Sequence, residues 1–283
     1  MADQTLEAGE GYFHPFSGDG IHYRVVGSGR RHILFLHGFA ASLHTWDDLA
    51  PFFPADEYTL HLLDLKGHGG SLKQCRGDYS TRHNARIVCA YIRSRALNSV
   101  SVVGHSFGGL VGMSAALDCP QISRLVLIDS PGFPQAFPRF MRILRIPFLG
   151  PLFMAFLSPR RLARKGLESV FYRHERITER LVERYAAGYG GLVAAHALAE
   201  TVRQMIPDDA EQMTCRYAGL AIPVQILWGE HDRVVKPWQG HKLHQEIAGS
   251  RLTIIADCGH NPHEERPERT SNLIRAFLAG EPG

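Results

Sequence analysis

The sequence predicts an α/β protein in which a mostly parallel, doubly wound sheet is interrupted once by a helical insertion. Three observations carry that expectation. Apolar, β-branched strand patterns alternate with helix-like stretches up to about residue 130, and do so again from Ile222 onward. Between Pro131 and about Gly219 the alternation stops, leaving helical stretches broken by Pro and Gly. Finally, Ser99–Val103 runs into Gly104-His105-Ser106-Phe107-Gly108 and then directly into a helical pattern, a strand, sharp turn and helix with Ser106 at the tip.

Taken in order, Tyr12–Phe16 and Ile21–Val26 flank the turn signal Ser17-Gly18-Asp19-Gly20 and predict a hairpin. His32–Leu36 reads as a strand buried on both faces, and an amphipathic helix is expected near Trp46–Phe53. Tyr58–Asp64 is a further strand, followed by the Gly-rich loop Leu65–Ser71. A helix over 81–97 turns Ile87, Val88, Tyr91 and Ile92 inward. The strand before Ser106 leads into a helix reaching Asp118, and Leu125–Asp129 is the next strand. After the insertion come a strand at Ile222–Gly229, a helix over 237–248, a strand at Arg251–Ile255 and a final helix over 266–279. Right-handed crossovers join the parallel strands, and the stop in alternation places the core in residues 1–131 and 219–283, with the insertion in 132–218.

At 283 residues, 45% of them hydrophobic and 21% charged, the chain is long enough for one large domain with an insertion. A net charge of +3 gives no argument for nucleic acid as a partner. Met1–Glu7 has neither a basic nor an apolar leader character, and the five cysteines are scattered without Cys-x-x-Cys spacing. Both features predict reduced thiols and a cytoplasmic location. Sixteen histidines are present but no His-Glu-x-x-His, so neither a metal nor another cofactor is expected.

His37-Gly38 after one strand, Asp64 with Gly67-His68-Gly69 after the next, the Ser106 turn, Gly229-Glu230-His231-Asp232 and Gly259-His260 occur in a fixed order. With these pieces the chain resembles an α/β-hydrolase over nearly its whole length. The resemblance implies an α/β-hydrolase fold with a helical cap and a triad in the order Ser, Asp or Glu, His. Ser106 would be the nucleophile, His260 the base and Asp232 the acid that orients it. Asp129 and Glu230 are rivals for the acid, Asp129 being otherwise a loop residue bonded to Ser130; His263 is the rival base. The oxyanion hole would be the backbone amides of Phe39 and Phe107. Gly104 and Gly108 free the sharp turn of side chains, and Gly38 lets its loop approach closely. His37, His68 and His105 read as organising histidines, Asp64 as the residue fixing its turn, and Ser42 and Trp46 as possible pocket liners. Haloalkane dehalogenases and epoxide hydrolases, otherwise similar, carry an aspartate where Ser106 stands, which argues against both chemistries.

Between Asp129 and Glu168 no acidic residue occurs, while Arg142, Arg145, Arg160, Arg161, Arg164 and Lys165 are interleaved with Phe133, Phe137, Met141, Phe148, Phe153 and Phe156. One reading is a pair of cap helices with a solvated basic face. The sharper one is an apolar acyl channel with a basic rim that touches membrane surfaces. Glu168–Arg184 is expected as an exposed amphipathic helix. The resemblance then implies a cofactor-independent serine hydrolase for a small-molecule carboxylic ester with an apolar acyl part. Its alternatives are a carbon–carbon bond hydrolase of the meta-cleavage type and a ligand receptor with a residual hydrolase site.

Overall fold

A computed structural model describes residues 9–146, 150, 152, 156–206 and 214–280. Phe148 and Phe153 of the apolar–basic window lie outside the described residues. Eight strands form one sheet: β1 (Gly9–Phe13), β2 (Ile21–Val26), β3 (Arg31–Leu36), β4 (Tyr58–Leu63), β5 (Val100–His105), β6 (Ile122–Ile128), β7 (Val224–Gly229) and β8 (Arg251–Ile255). Their spatial order is β1-β2-β4-β3-β5-β6-β7-β8. The first hairpin is antiparallel and β2 pairs antiparallel with β4; every later pairing is parallel. β5 thus lies between β3 and β6, with its carboxyl end beside theirs.

The central strands carry apolar side chains on both faces, because helices cover both. On one side α1 (Thr81–Ser94) and α2 (Phe107–Asp118) pack on Leu34, Leu36, Val102, Leu125 and Leu127. On the other, Phe35, Val103, Val126, Ile128 and Leu227 meet Trp46, Phe53 and the C-terminal helix residues Ile274 and Phe277. α1 is capped by Ser80, whose side chain accepts from the His83 amide. Residues Phe107–Ala115 of α2 are all buried, so this helix has no solvent face to mark with polar residues.

Residues 132–218 contribute helices and, among the described residues, no strand: α3 (Arg139–Leu144), α4 (Pro159–Val170), α5 (Glu179–Ala186) and α6 (Gly191–Gln204). Ala163, Leu167, Phe171, Leu181 and Val182 form a small core of their own. The sheet then resumes with β7, α7 (Trp238–Glu246), β8, the short α8 (Pro262–Glu265) and α9 (Pro267–Ala279).

Two expected helices take another form. Near Trp46–Phe53 there are two 3₁₀ turns, Leu43–Trp46 and Ala50–Phe52, because Pro51 has no N–H to continue an α-helix. The stretch Glu168–Arg184 is not one helix. α4 stops at Val170, a 3₁₀ turn covers His174–Arg176, and Thr178 caps α5 by accepting from the Leu181 amide. The break follows from Glu265, whose Oε2 takes the Tyr172 and Arg173 amides at 3.0 and 2.9 Å and pulls the backbone out of helical register. Among the described residues no helix is long and apolar enough to cross a membrane.

Candidate active site

The site forms where the carboxyl ends of β5, β7 and β8 meet, the edge at which ligands gather in open α/β sheets. β5 runs into α2 with a single residue between them, and that residue is Ser106, at φ +50° and ψ −117°. A non-glycine residue there is strained, and the surroundings hold it in place. Its amide donates to Ile128 O at 2.9 Å, while its carbonyl accepts from the Gly109 and Leu110 amides. A Cβ on Gly104 would meet Gly108 O at 2.5 Å; one on Gly108 would meet Leu36 O at 2.2 Å. Both glycines are therefore steric requirements of the turn, as the sequence predicts. Gly38 is a third such case, since a Cβ there would lie 2.7 Å from His105 Nδ1 and 3.3 Å from Ser106 Cβ.

Ser106 Oγ lies 3.0 Å from His260 Nε2, and His260 Nδ1 lies 2.7 Å from Asp232 Oδ2. These three side chains come from positions far apart in the chain. Asp232 follows β7; its Oδ1 accepts from the Val234 and Val235 amides at 2.7 and 3.0 Å, so the loop closes around the carboxylate. His260 follows β8, and three groups fix its backbone. Its amide donates to Val170 O of the insertion at 2.8 Å, its carbonyl accepts from His105 Nε2 at 2.8 Å, and the Gly259 amide donates to Glu265 Oε1 at 2.8 Å. With Nδ1–H given to Asp232, Nε2 keeps the lone pair that faces the serine hydroxyl. Serine, imidazole and carboxylate in that sequence can take a proton from the hydroxyl as it attacks.

His37, His68 and His105 each bond a backbone carbonyl. His37 donates from Nδ1 to Gly38 O at 2.7 Å and accepts the Leu65 amide on Nε2 at 3.0 Å. His68 donates to Lys66 O, and its ring packs against Phe39 and Phe107. Burial lowers the pKa of His37, brings that of His68 down to about 3 and that of His105 well below the ordinary imidazole value, so all three are neutral. Asp64 fixes its turn, taking the Leu43 amide at 2.6 Å and the Gly70 amide at 2.7 Å. Phe107 opens α2, so its amide is one of the first-turn donors with no acceptor inside the helix. Phe39 and Phe107 both line the cavity that Ser106 opens on.

Two of the rivals, His263 and Glu230, are held by other partners. His263 is buried, with Nε2 bonded to Thr45 Oγ1 at 2.8 Å and its ring 4.6 Å from that of Trp46. Glu230 is exposed and accepts the Asp257 amide. Trp46, fully buried against Phe35, is core, and Ser42 lines a separate surface depression, so neither lines the Ser106 cavity. Asp129 does not bond Ser130; its Oδ1 accepts from the Gly229 amide at 2.9 Å, and Ser130 donates to Gly104 and Ile128 carbonyls.

A polar cluster beside His260 escaped the sequence reading. Glu264 Oε2 accepts from Asn261 Nδ2 at 2.6 Å and from the hydroxyl of Tyr185, a residue of α5, at 2.7 Å. The cluster fastens the insertion to the loop carrying the imidazole. Burial pushes the Glu264 carboxyl up to about 7. Only the adjacency of Asn261 to His260 signals it in the sequence.

Phe39, Ser106, Phe107, Leu110, Phe133 and Met141 face one cavity, which is almost wholly apolar. A cleft lined by both Ser106 and His260 shares Phe39 and Met141 with it, and shares Phe39 and Tyr189 with a chamber of about 500 Å³ beside α4 and α6, lined also by Ile143, Leu157, Leu162 and Leu198. Lys165 and Arg233 stand at that chamber's edge, Lys165 already paired with Glu168. Phe156, by contrast, is 83% exposed and lines none of it.

Comparison with known proteins agrees with this architecture. Residues 33–273 match the family model described as the alpha/beta hydrolase family. The chain is 28% identical over 271 residues to an uncharacterized hydrolase of Bacillus subtilis, covering 93% of this chain and 96% of that one. It is also 28% identical over 251 residues to a pimeloyl-[acyl-carrier protein] methyl ester esterase of Neisseria meningitidis, covering 88% and 93%. A solved epoxide hydrolase superposes with a TM-score of 0.83 at 22% identity, over 97% and 99% of the two chains, a likeness of fold alone. The sheet order, the strained turn after β5 and a family match spanning both sides of the insertion place this chain in the alpha/beta hydrolase family, as a hydrolase.

Proposed function

We propose that the protein is a serine hydrolase cleaving a carboxylic ester with an apolar acyl part, through an acyl-enzyme on Ser106. The observation that carries this reading is the line from Asp232 through His260 to Ser106, with contacts of 2.7 and 3.0 Å, opening on an apolar cavity. His260 takes the Ser106 proton as Oγ attacks the ester carbonyl, then returns it to the departing alkoxide; Asp232 orients the ring and balances its charge in between. The developing oxyanion is held by the Phe39 and Phe107 amides, each such donor being worth ~10²–10³ in rate. Water attacks the acyl-enzyme by the same route in reverse.

Residues 132–218 act as a cap in this reading. Their contribution of Phe137, Met141, Met205 and Tyr217 to the cavity lining supports an apolar acyl site. The methyl ester esterase among the relatives is consistent with ester chemistry. Asp129, Asp232 and His260 offer donor atoms within 4.8 Å of one another. In the proposed mechanism these groups bond one another and backbone amides, and no step uses a metal. Turnover of p-nitrophenyl butyrate is therefore expected to survive dialysis against EDTA unchanged. A loss restored by zinc or manganese would contradict the mechanism.

A further inference from the structure

Asp129 directly follows β6 with φ +47°, one strand away from the loop that holds Asp232. Its amide donates to Leu227 O and its Oδ1 accepts from the Gly229 amide, both groups of β7. The side chain is wholly buried, and Oδ2 has no hydrogen-bond donor among the described residues. Within 4.8 Å stand the carboxyl of Asp232 and the imidazole of His260. Two carboxylates this close, both shut away from water, do not both ionise. The donors decide which one carries the charge. Asp232 receives the Val234 and Val235 amides and the His260 Nδ1–H, whereas Asp129 receives a single amide. The proton therefore belongs on Asp129, and on Oδ2, since Oδ1 already faces an N–H.

We propose that Asp129 is a positioning residue, a neutral carboxylic acid whose Oδ2–H donates to Asp232 and so sets how strongly Asp232 holds His260. The proposal rests on the triad reading given above. Burial and the neighbouring Asp232 charge hold the Asp129 carboxyl well above the usual carboxylate range, in agreement with the geometry. The other titratable groups facing it are Glu265, occupied by the Gly259, Tyr172 and Arg173 amides, and the buried thiol of Cys258. By taking part of the Asp232 charge into a hydrogen bond, the Asp129 O–H weakens the stabilisation of protonated His260.

The sign of one shift tests this. The acid limb of kcat/KM reports protonation of the essential base in the free enzyme. For Asp129→Ala of the full chain on p-nitrophenyl butyrate, the limb is expected to move up by about one pH unit, because Asp232 then gives its whole charge to His260. Asp129→Asn keeps an acceptor for Gly229 and an N–H for Asp232, and is expected to return the limb to its wild-type position. If Asp129 is instead ionised, both variants remove a negative charge and the limb moves down. If it only fills space, the alanine variant loses stability with the limb unmoved. Either result overturns the proposal. Should Asp129→Ala fail to fold, the infrared difference between wild type and Asp129→Asn at neutral pH decides. A protonated carboxyl band supports the proposal and a carboxylate pair refutes it. Asp232→Asn measured alongside separates the two claims. If it retains turnover, the triad reading is wrong; if it is inactive while the Asp129 limb moves down or not at all, the triad stands and this role for Asp129 falls.

Discussion

Replacement of Ser106 by alanine is expected to lower kcat by ~10⁴–10⁶, with His260→Ala and Asp232→Asn falling in the same range. In the proposed mechanism the three side chains act as one unit, so the double variant Ser106→Ala/His260→Ala should lose little beyond either single one. The fold should survive, because Ser106 is held by its backbone bonds to Ile128, Gly109 and Leu110 and not by its hydroxyl. Steady-state kinetics with thermal melts of each variant measure both parts. Strictly additive losses would mean that the serine, imidazole and carboxylate do not share one proton-transfer step.

The second large effect concerns acyl length. Medium-chain p-nitrophenyl esters are expected to exceed the acetate tenfold or more in kcat/KM. A buried methylene is worth ~0.8 kcal/mol, so half of that gain over four methylenes already exceeds the ~1.4 kcal/mol of one decade. The side chains that provide the burial are those lining the cavity around Ser106. Phe137→Ala with Met141→Ala should flatten the chain-length profile while changing acetate little. Phe156, which the sequence put forward for such a role, is exposed and should have no effect on it. A flat wild-type profile together with fast cleavage of a dienoic diketo acid would instead favour the carbon–carbon hydrolase reading. That chemistry needs a cation for the substrate carboxylate, and the second chamber presents only Lys165 and Arg233 among its described lining residues.

The strands and the turn around Ser106 were legible because their causes are local. An apolar run buried on both faces, or two glycines under steric compulsion, leaves its mark within a few residues. That Asp232 and His260 each follow a strand of the sheet was legible through the order of motifs, a topological regularity. What stayed hidden depends on groups remote in the chain. The break after Val170 comes from a glutamate over ninety positions away, and Tyr185, Asn261 and Glu264 meet only when the insertion lies down on the core. The roles of Ser42, Trp46 and Asp129 were misjudged for a related reason. Proximity in sequence to the loop after β3, or to Ser130, says nothing of which way a side chain faces once neighbouring strands are in place. The turn at Pro51 is different: a proline inside an amphipathic pattern is a local signal, and the helix expected near Trp46–Phe53 overlooks it.

Covalent labelling tests the central claim most directly. A fluorophosphonate attacked by the activated serine leaves a stable adduct that peptide mass spectrometry assigns to one residue. The mechanism predicts a single adduct on Ser106 of the wild-type protein, none on Ser106→Ala, and much slower labelling of His260→Ala. Equal labelling of the Ser106→Ala protein, or an adduct on another serine, would show that the nucleophile lies elsewhere.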